Sequence, residues 1–152
     1  MLDIPSISAL VATGAVVVGV VFTYLEVRNL TKQRRTDLVM RLYAAFGSKN
    51  LLEEYKQVLT WKSEDYKSLS WGEGLQLLVF FEAIGVLLKE KLVDIALVDD
   101  FFSSPVILSW EKLQPLVEDD RSRFNRPQAS EWFEYLYNEM KKREQRLQQI
   151  QQ

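Results

Sequence analysis

Glu82 carries the side chain that is best placed in this sequence to do chemistry. It interrupts a largely apolar run over residues 75–88, where burial is expected. Burying a lone carboxylate is costly, so such a group either has a function or has a partner. The functional interpretation is a proton acceptor or an oxygen ligand for a metal. We favour a structural partner: Arg121, Arg123 or Arg41, or else a tryptophan indole or tyrosine hydroxyl.

Two acidic clusters are the other groups that could bind a cation, namely Asp99–Asp100 and Glu118–Asp120. Neither has the spaced ligands and the glycine of a calcium-binding loop, so we interpret them as charges at helix ends and in loops. The chain contains no histidine and no cysteine, which excludes imidazole and thiolate chemistry from its own residues. We expect no catalytic residue, no metal site and no cofactor, and therefore a protein that is not an enzyme.

The charge balance argues against a nucleic-acid partner. The chain contains nineteen basic and twenty-one acidic residues, and its sequence pI is about 5.3. A nucleic-acid-binding domain normally has a high pI or a basic face.

The N-terminal segment is the clearest signal of location. From Ile4 to Leu25 no residue is charged, and these 22 residues match the length of about 20 that spans a bilayer as a helix. A basic cluster follows, composed of Arg28, Lys32, Arg34 and Arg35. An apolar span followed by a basic cluster predicts a single-pass membrane protein with its N-terminus outside and most of the chain in the cytoplasm. The basic cluster either sets this topology or contacts lipid headgroups. The alternative of a cleaved signal peptide requires a positive charge before the apolar run, and none is present.

One face of this segment carries small or hydroxyl side chains: Ser8, Ala12, Ala15, Gly19 and Thr23. Small faces allow transmembrane helices to approach closely, so this face predicts contact with a helix from a second copy or from another protein. The plainer interpretation is that such residues are simply common in membrane spans.

The remaining sequence predicts helices only. The first helix continues without proline or glycine to Phe46, and further helices are expected over Asn50–Trp61 and Trp71–Lys89. A short helix to Phe102 should be separated by Ser103–Pro105 from a helix that Pro115 divides or kinks.

The last helix is expected from Ala129 or Ser130 to the end of the chain. The predicted organisation is a transmembrane anchor over 1–28, a juxtamembrane helix over 29–48, a bundle of about five helices over 49–140 and a polar helix end over 141–152. Trp71, beside a polar loop, is the tryptophan that we expect to be partly exposed at an interface.

The middle of the chain resembles a known family. The stretch FFEAIGVLLKEKLVD at 80–94, Trp110–Lys112 and the acidic-to-basic run that ends at Arg121 are similar to the domain of unknown function family 4760, over roughly residues 10–140. The resemblance implies a small, mainly helical protein, often with an N-terminal transmembrane helix. It implies no catalytic residue.

These observations together predict an all-α, membrane-anchored interaction protein that serves as an accessory or structural subunit of a larger membrane complex. Its expected partners are membrane lipid and either other membrane subunits or copies of itself. A stand-alone homo-oligomeric sensor or scaffold is the alternative, and a carboxylate-dependent enzyme or metal binder centred on Glu82 is a weaker one.

Overall fold

The computed structural model describes residues 4–62, 72 and 74–150, with side chains in the first helix described from residue 19 onward. Five helices lie within this part of the chain, and it contains no strand. They are α1 (Ile4–Phe46), α2 (Lys49–Thr60), α3 (Leu75–Lys89), α4 (Ile95–Arg123) and α5 (Glu131–Ile150). The predicted all-α class is confirmed.

The chain divides into two compact units, Met1–Asp37 and Leu38–Gln152. The first unit contains most of α1, and the second contains its last residues together with α2 to α5. The domain boundaries expected at residues 28, 48 and 140 stay predictions.

Helix α1 is continuous over 43 residues, as the lack of glycine and proline after Leu25 predicted. It ends at Phe46, where the N–H of Gly47 donates to the Tyr43 carbonyl over 3.0 Å. Among the described residues, which leave out the side chains of residues 4–18, no helix is long and apolar enough to cross a membrane. The predicted transmembrane helix over residues 4–25 is not supported by this part of the chain, which includes only residues 19–25 of it with their side chains.

The core of the second unit is built around α3. Its side chains Leu77, Phe81 and Ile84 are fully buried. Gly85 has no side chain, and this lets α5 approach so closely that a Cβ on Gly85 would overlap the Trp132 backbone. The tight α3–α5 contact places the start of α5 beside the middle of α3, which determines the geometry of the candidate site.

A series of aromatic contacts crosses this core. The ring of Phe46, at the end of α1, lies 5.4 Å from Tyr55, 6.0 Å from Phe81 and 5.8 Å from Phe102, measured between ring centroids. Phe81 in turn stacks on Phe133 at 5.0 Å. Such aromatic pairs contribute more to stability than the burial of their apolar area alone, so they hold the last turn of α1 against α2, α3 and α4. Burial also raises the pKa of the Tyr55 hydroxyl above its usual value.

The division expected at Ser103–Pro105 is wrong, because Pro105 lies inside one continuous helix of 29 residues, α4. Pro115 lies inside the same helix and does not divide it, which was one of the two effects expected of it. An internal proline costs about 3 kcal/mol, since it removes a hydrogen bond and crowds the preceding turn. Buried side chains recur along the helix on both sides of each proline: Val98, Phe102, Val106, Trp110, Leu113 and Val117. Each such burial contributes about 1.5–3 kcal/mol, which offsets the cost.

Candidate functional site

Glu82 binds the start of α5. Its Oε2 accepts a hydrogen bond from the backbone N–H of Phe133 over 2.7 Å. Phe133 is the third residue of α5, and the first amides of a helix have no partner within it. The half-buried carboxylate therefore caps α5 from a helix 51 residues earlier in the sequence, where its negative charge also suits the helix dipole.

The expected ion pairs of Glu82 with Arg121 or Arg123 are wrong. Arg121 instead bonds Glu134 through Nη2 at 2.7 Å and the Ala129 carbonyl through Nε at 2.9 Å. Arg123 pairs with Asp119 at 2.9 Å. The partner of the Glu82 carboxylate is the backbone amide of Phe133 and not a side chain.

Glu82 and Arg121 nevertheless meet at one structural feature. Both hold residues 129–134, Glu82 through the amide of Phe133 and Arg121 through Ala129 and Glu134. Glu82 and Arg121 thus fix the position at which α5 begins.

Two further polar side chains act on the ends of other helices. Glu54 Oε1 accepts the N–H of Leu77 in the first turn of α3 over 3.2 Å. Lys112 Nζ donates to the carbonyl of Trp61, at the end of α2, over 2.6 Å. Our sequence reasoning missed both residues, because their partners lie 23 and 51 positions away and no local motif marks them.

A partly open cavity of about 220 Å³ lies beside Glu82. Its apolar wall is formed by Leu75, Leu78 and Val79 of α3 and by Leu116 and Val117 of α4. Asp120 and Ser130 complete the lining with polar groups. Two carboxylates, those of Glu82 and Asp120, therefore border one small apolar space.

The acidic clusters have separate roles. In the cluster at 118–120, Glu118 accepts from Gln114 at 2.7 Å and Asp119 pairs with Arg123, while Asp120 lines the cavity. In the other cluster Asp99 pairs with Arg143 at 2.9 Å, with side chains 18% and 27% exposed, and this bond ties α4 to α5. Within residues 4–62, 72 and 74–150, no group of three or more acidic side chains is arranged to hold a metal ion.

Apolar side chains are exposed on the outer face of α3. Leu75, Val79 and Val86 are 46%, 60% and 38% exposed, and their spacing puts them on one side of the helix. Leu75 and Val79 border the cavity on one flank. On the other flank they border a shallow groove that Leu51 and Phe80 also line.

In the first unit, the predicted packing face is described only at Gly19 and Thr23. A Cβ on Gly19 would meet nothing within 4 Å, and the Thr23 hydroxyl donates to the Gly19 carbonyl over 2.9 Å. The side chains of Ser8, Ala12 and Ala15, and all of Trp71, lie outside the described residues. In the basic cluster, Arg28, Lys32 and Arg34 are exposed and Arg35 is half-buried.

Comparison with known families accounts for most of the chain. The model of the family described as Domain of unknown function (DUF4760) matches residues 10–140. The chain belongs to this family. The DUF4760 match spans α2, α3 and α4 completely and the first half of α5, and with them the cavity and both residues that hold the start of α5. Neither the curated proteins nor the solved structures gave a match.

Proposed function

We propose that this chain is a non-catalytic, membrane-anchored interaction protein, an accessory or structural subunit of a larger membrane complex. The observation that carries the proposal is the set of exposed apolar side chains on α1, with no charged residue over 20–25 and with Glu26 and Arg28 between the later ones up to Leu30. Seven large apolar side chains are exposed there: Val20, Val21, Phe22, Tyr24, Leu25, Val27 and Leu30. No other element exposes so dense a set among the described residues.

These side chains surround the helix. Successive residues in an α-helix are turned by about 100°, so Val20, Val21 and Phe22 alone point in three widely separated directions. A helix that lies on a soluble bundle keeps one polar face, whereas a segment such as residues 20–25, which carries no charge on any side, needs an apolar environment. Lipid or the helices of another membrane protein would supply that environment.

The sequence extends this surface to the length of a bilayer. The uncharged residues 4–25 would form a helix of about 33 Å, against a hydrocarbon core of about 30 Å. The basic cluster that follows favours an orientation with the N-terminus outside and the bundle in the cytoplasm, next to anionic headgroups. Residues 19–25, whose side chains are described, supply the last part of this length, and residues 4–18 supply the rest by their sequence.

The polar interior of the bundle supports a non-catalytic role. Glu54, Glu82, Lys112 and Arg121 are each hydrogen-bonded to the end of a neighbouring helix. Groups committed to holding helix ends are poorly suited to exchange protons with a substrate.

Membrane retention tests the anchor. The full chain should stay in membranes washed with alkaline carbonate, and Val16→Arg should release it, because Val16 is near the middle of the uncharged residues 4–25 and an arginine at the centre of a span is costly. Thr36→Arg is the matched control, since it adds the same charge at an exposed position beyond the apolar segment. A wild-type chain found in the wash would refute the anchor.

Native mass measurement tests the subunit role. The complex extracted in mild detergent should contain other polypeptides, and a chain recovered alone would contradict the proposal. One observation favours the homo-oligomeric alternative: Gly19 leaves open space on α1 where a second helix could approach. That alternative predicts self-association that Gly19→Leu weakens.

A further inference from the structure

We propose that the cavity between α3 and α4 receives a lysine or arginine side chain from an apolar segment of a partner protein. The inference rests on the proposed function, because it assigns the place where the partner of this subunit docks. It combines the cavity, its two carboxylates and the exposed apolar face of α3.

The size of the cavity favours one side chain over a whole ligand. Its volume is about 220 Å³. Small-molecule and cofactor sites usually enclose about 300–1,000 Å³. A single long side chain that enters from a partner needs less space, and the cavity is partly open to admit it.

The charge of the cavity selects a cation. The carboxylates of Glu82 and Asp120 both border it. The two nearest arginines along α4 are engaged elsewhere, Arg121 with Glu134 and Arg123 with Asp119. Within the part of the chain that the structure describes, neither carboxylate has an ion pair with a lysine or arginine. An incoming cation would gain from both charges, whereas a phosphate or a carboxylate would be repelled.

The apolar wall suits the stem of such a side chain. Lysine and arginine lay their methylene groups along apolar surface while the charged head reaches a polar partner. Here the stem would lie along Leu78, Leu116 and Val117, with its head at Glu82 and Asp120.

The outer face of α3 explains why the cation should belong to a protein. Leu75 and Val79 border the cavity on one side and the shallow groove on the other, and both are well exposed. Apolar residues next to the lysine or arginine of a partner would cover them. A free amine would fill the cavity and leave this face in water, and an anionic membrane surface would be repelled by the two carboxylates.

A small probe tests the chemistry. We would titrate the full chain in neutral detergent with n-butylammonium and follow the methyl signals of Leu75, Val79 and Leu116 by NMR. These methyls should shift with n-butylammonium and much less with n-butanol or butyrate. Asp120→Asn should weaken the binding about fivefold, as expected for loss of one partly exposed charge partner. Glu118→Gln is the matched control, since it removes a neighbouring charge that lies outside the cavity lining and whose carboxylate bonds Gln114 rather than an arginine, and it should change nothing.

A cross-linking experiment tests the source of the cation. A photoreactive residue at position 79, in the chain's own membranes, should capture another polypeptide at a segment that contains lysine or arginine. The same residue at position 148, on the exposed end of α5, should not capture it. Asp120→Asn should reduce the adduct and Glu118→Gln should not.

The outcomes separate the two proposals. Absence of n-butylammonium binding, or equal binding of butyrate, would overturn the cation site. Binding of the probe with no polypeptide captured, or with only lipid or a second copy captured, would overturn the partner assignment. Membrane retention of the wild type stands apart from both, because Asp120→Asn leaves α1 unchanged, and only loss of that retention would count against the anchor.

Discussion

Replacing Glu82 by alanine removes the carboxylate that holds the start of α5. The hydrogen bond from Phe133 N–H to Oε2 is 2.7 Å long and half-buried. A hydrogen bond to a charged group contributes about 1.5–3 kcal/mol, so we expect Glu82→Ala to lower the free energy of unfolding by about 2 kcal/mol. Glu82→Gln keeps an oxygen acceptor without the charge. Since charge-assisted bonds are about twice as strong as neutral ones, it should cost about half as much.

The assay is equilibrium denaturation of the full chain in detergent, followed by tryptophan emission. Glu90→Ala is the matched control at the C-terminal end of the same helix, because Glu90 follows its last residue, is exposed and pairs with its neighbour Lys89. It should change the free energy of unfolding by less than about 0.5 kcal/mol.

Amide hydrogen exchange adds a local measurement. A loss of 2 kcal/mol corresponds to an exchange rate about 30-fold faster at the start of α5, if opening there is local. Unchanged exchange at residues 131–134, together with unfolding free energies equal to wild type, would refute the structural role. The carboxylate of Glu82 would then be available for another task.

Three further substitutions test the packing of the bundle. Gly85→Ala should destabilise the chain by about 1–3 kcal/mol or prevent folding, because its Cβ would overlap the Trp132 carbonyl. In the same denaturation assay Gly47→Ala should cost less, since the nearest atom to its Cβ would be 3.5 Å away, and equal costs would contradict this. Ser109→Ala should raise the thermal midpoint of unfolding, because the fully buried Ser109 hydroxyl has no hydrogen-bond partner among the described residues. Removing an unsatisfied buried hydroxyl is worth about 1 kcal/mol. A lower midpoint would show that the hydroxyl makes a hydrogen bond. Lys91→Gly should stabilise by up to about 1 kcal/mol in urea denaturation, because Lys91 lies two residues after the end of α3 with φ of 57°, which glycine adopts without strain. A loss of stability would show that the lysine side chain contributes more.

The sequence by itself determined most of the helices. It predicted α1 to Phe46 and α2 within one residue at each end, because helix periodicity and breaking residues act over only a few neighbouring positions. It also marked Glu82 as a residue with a structural partner, since an apolar run makes a lone charge costly, but it named arginines such as Arg121 as that partner instead of the Phe133 amide.

Only the tertiary structure decided what those partners are and where the local rules fail. Pro105 and Pro115 stay inside α4 because buried side chains on both sides outweigh two local breaks. No sequence pattern marks Gly85 as important. Its importance comes from the α5 backbone at Trp132, which packs too closely for any side chain at this position. Glu82 accepts the hydrogen bond of the Phe133 amide, and Asp120 lines the cavity beside α3, because helices far apart in the chain pack together. Local sequence carries no information on such distances, because they depend on how whole helices pack.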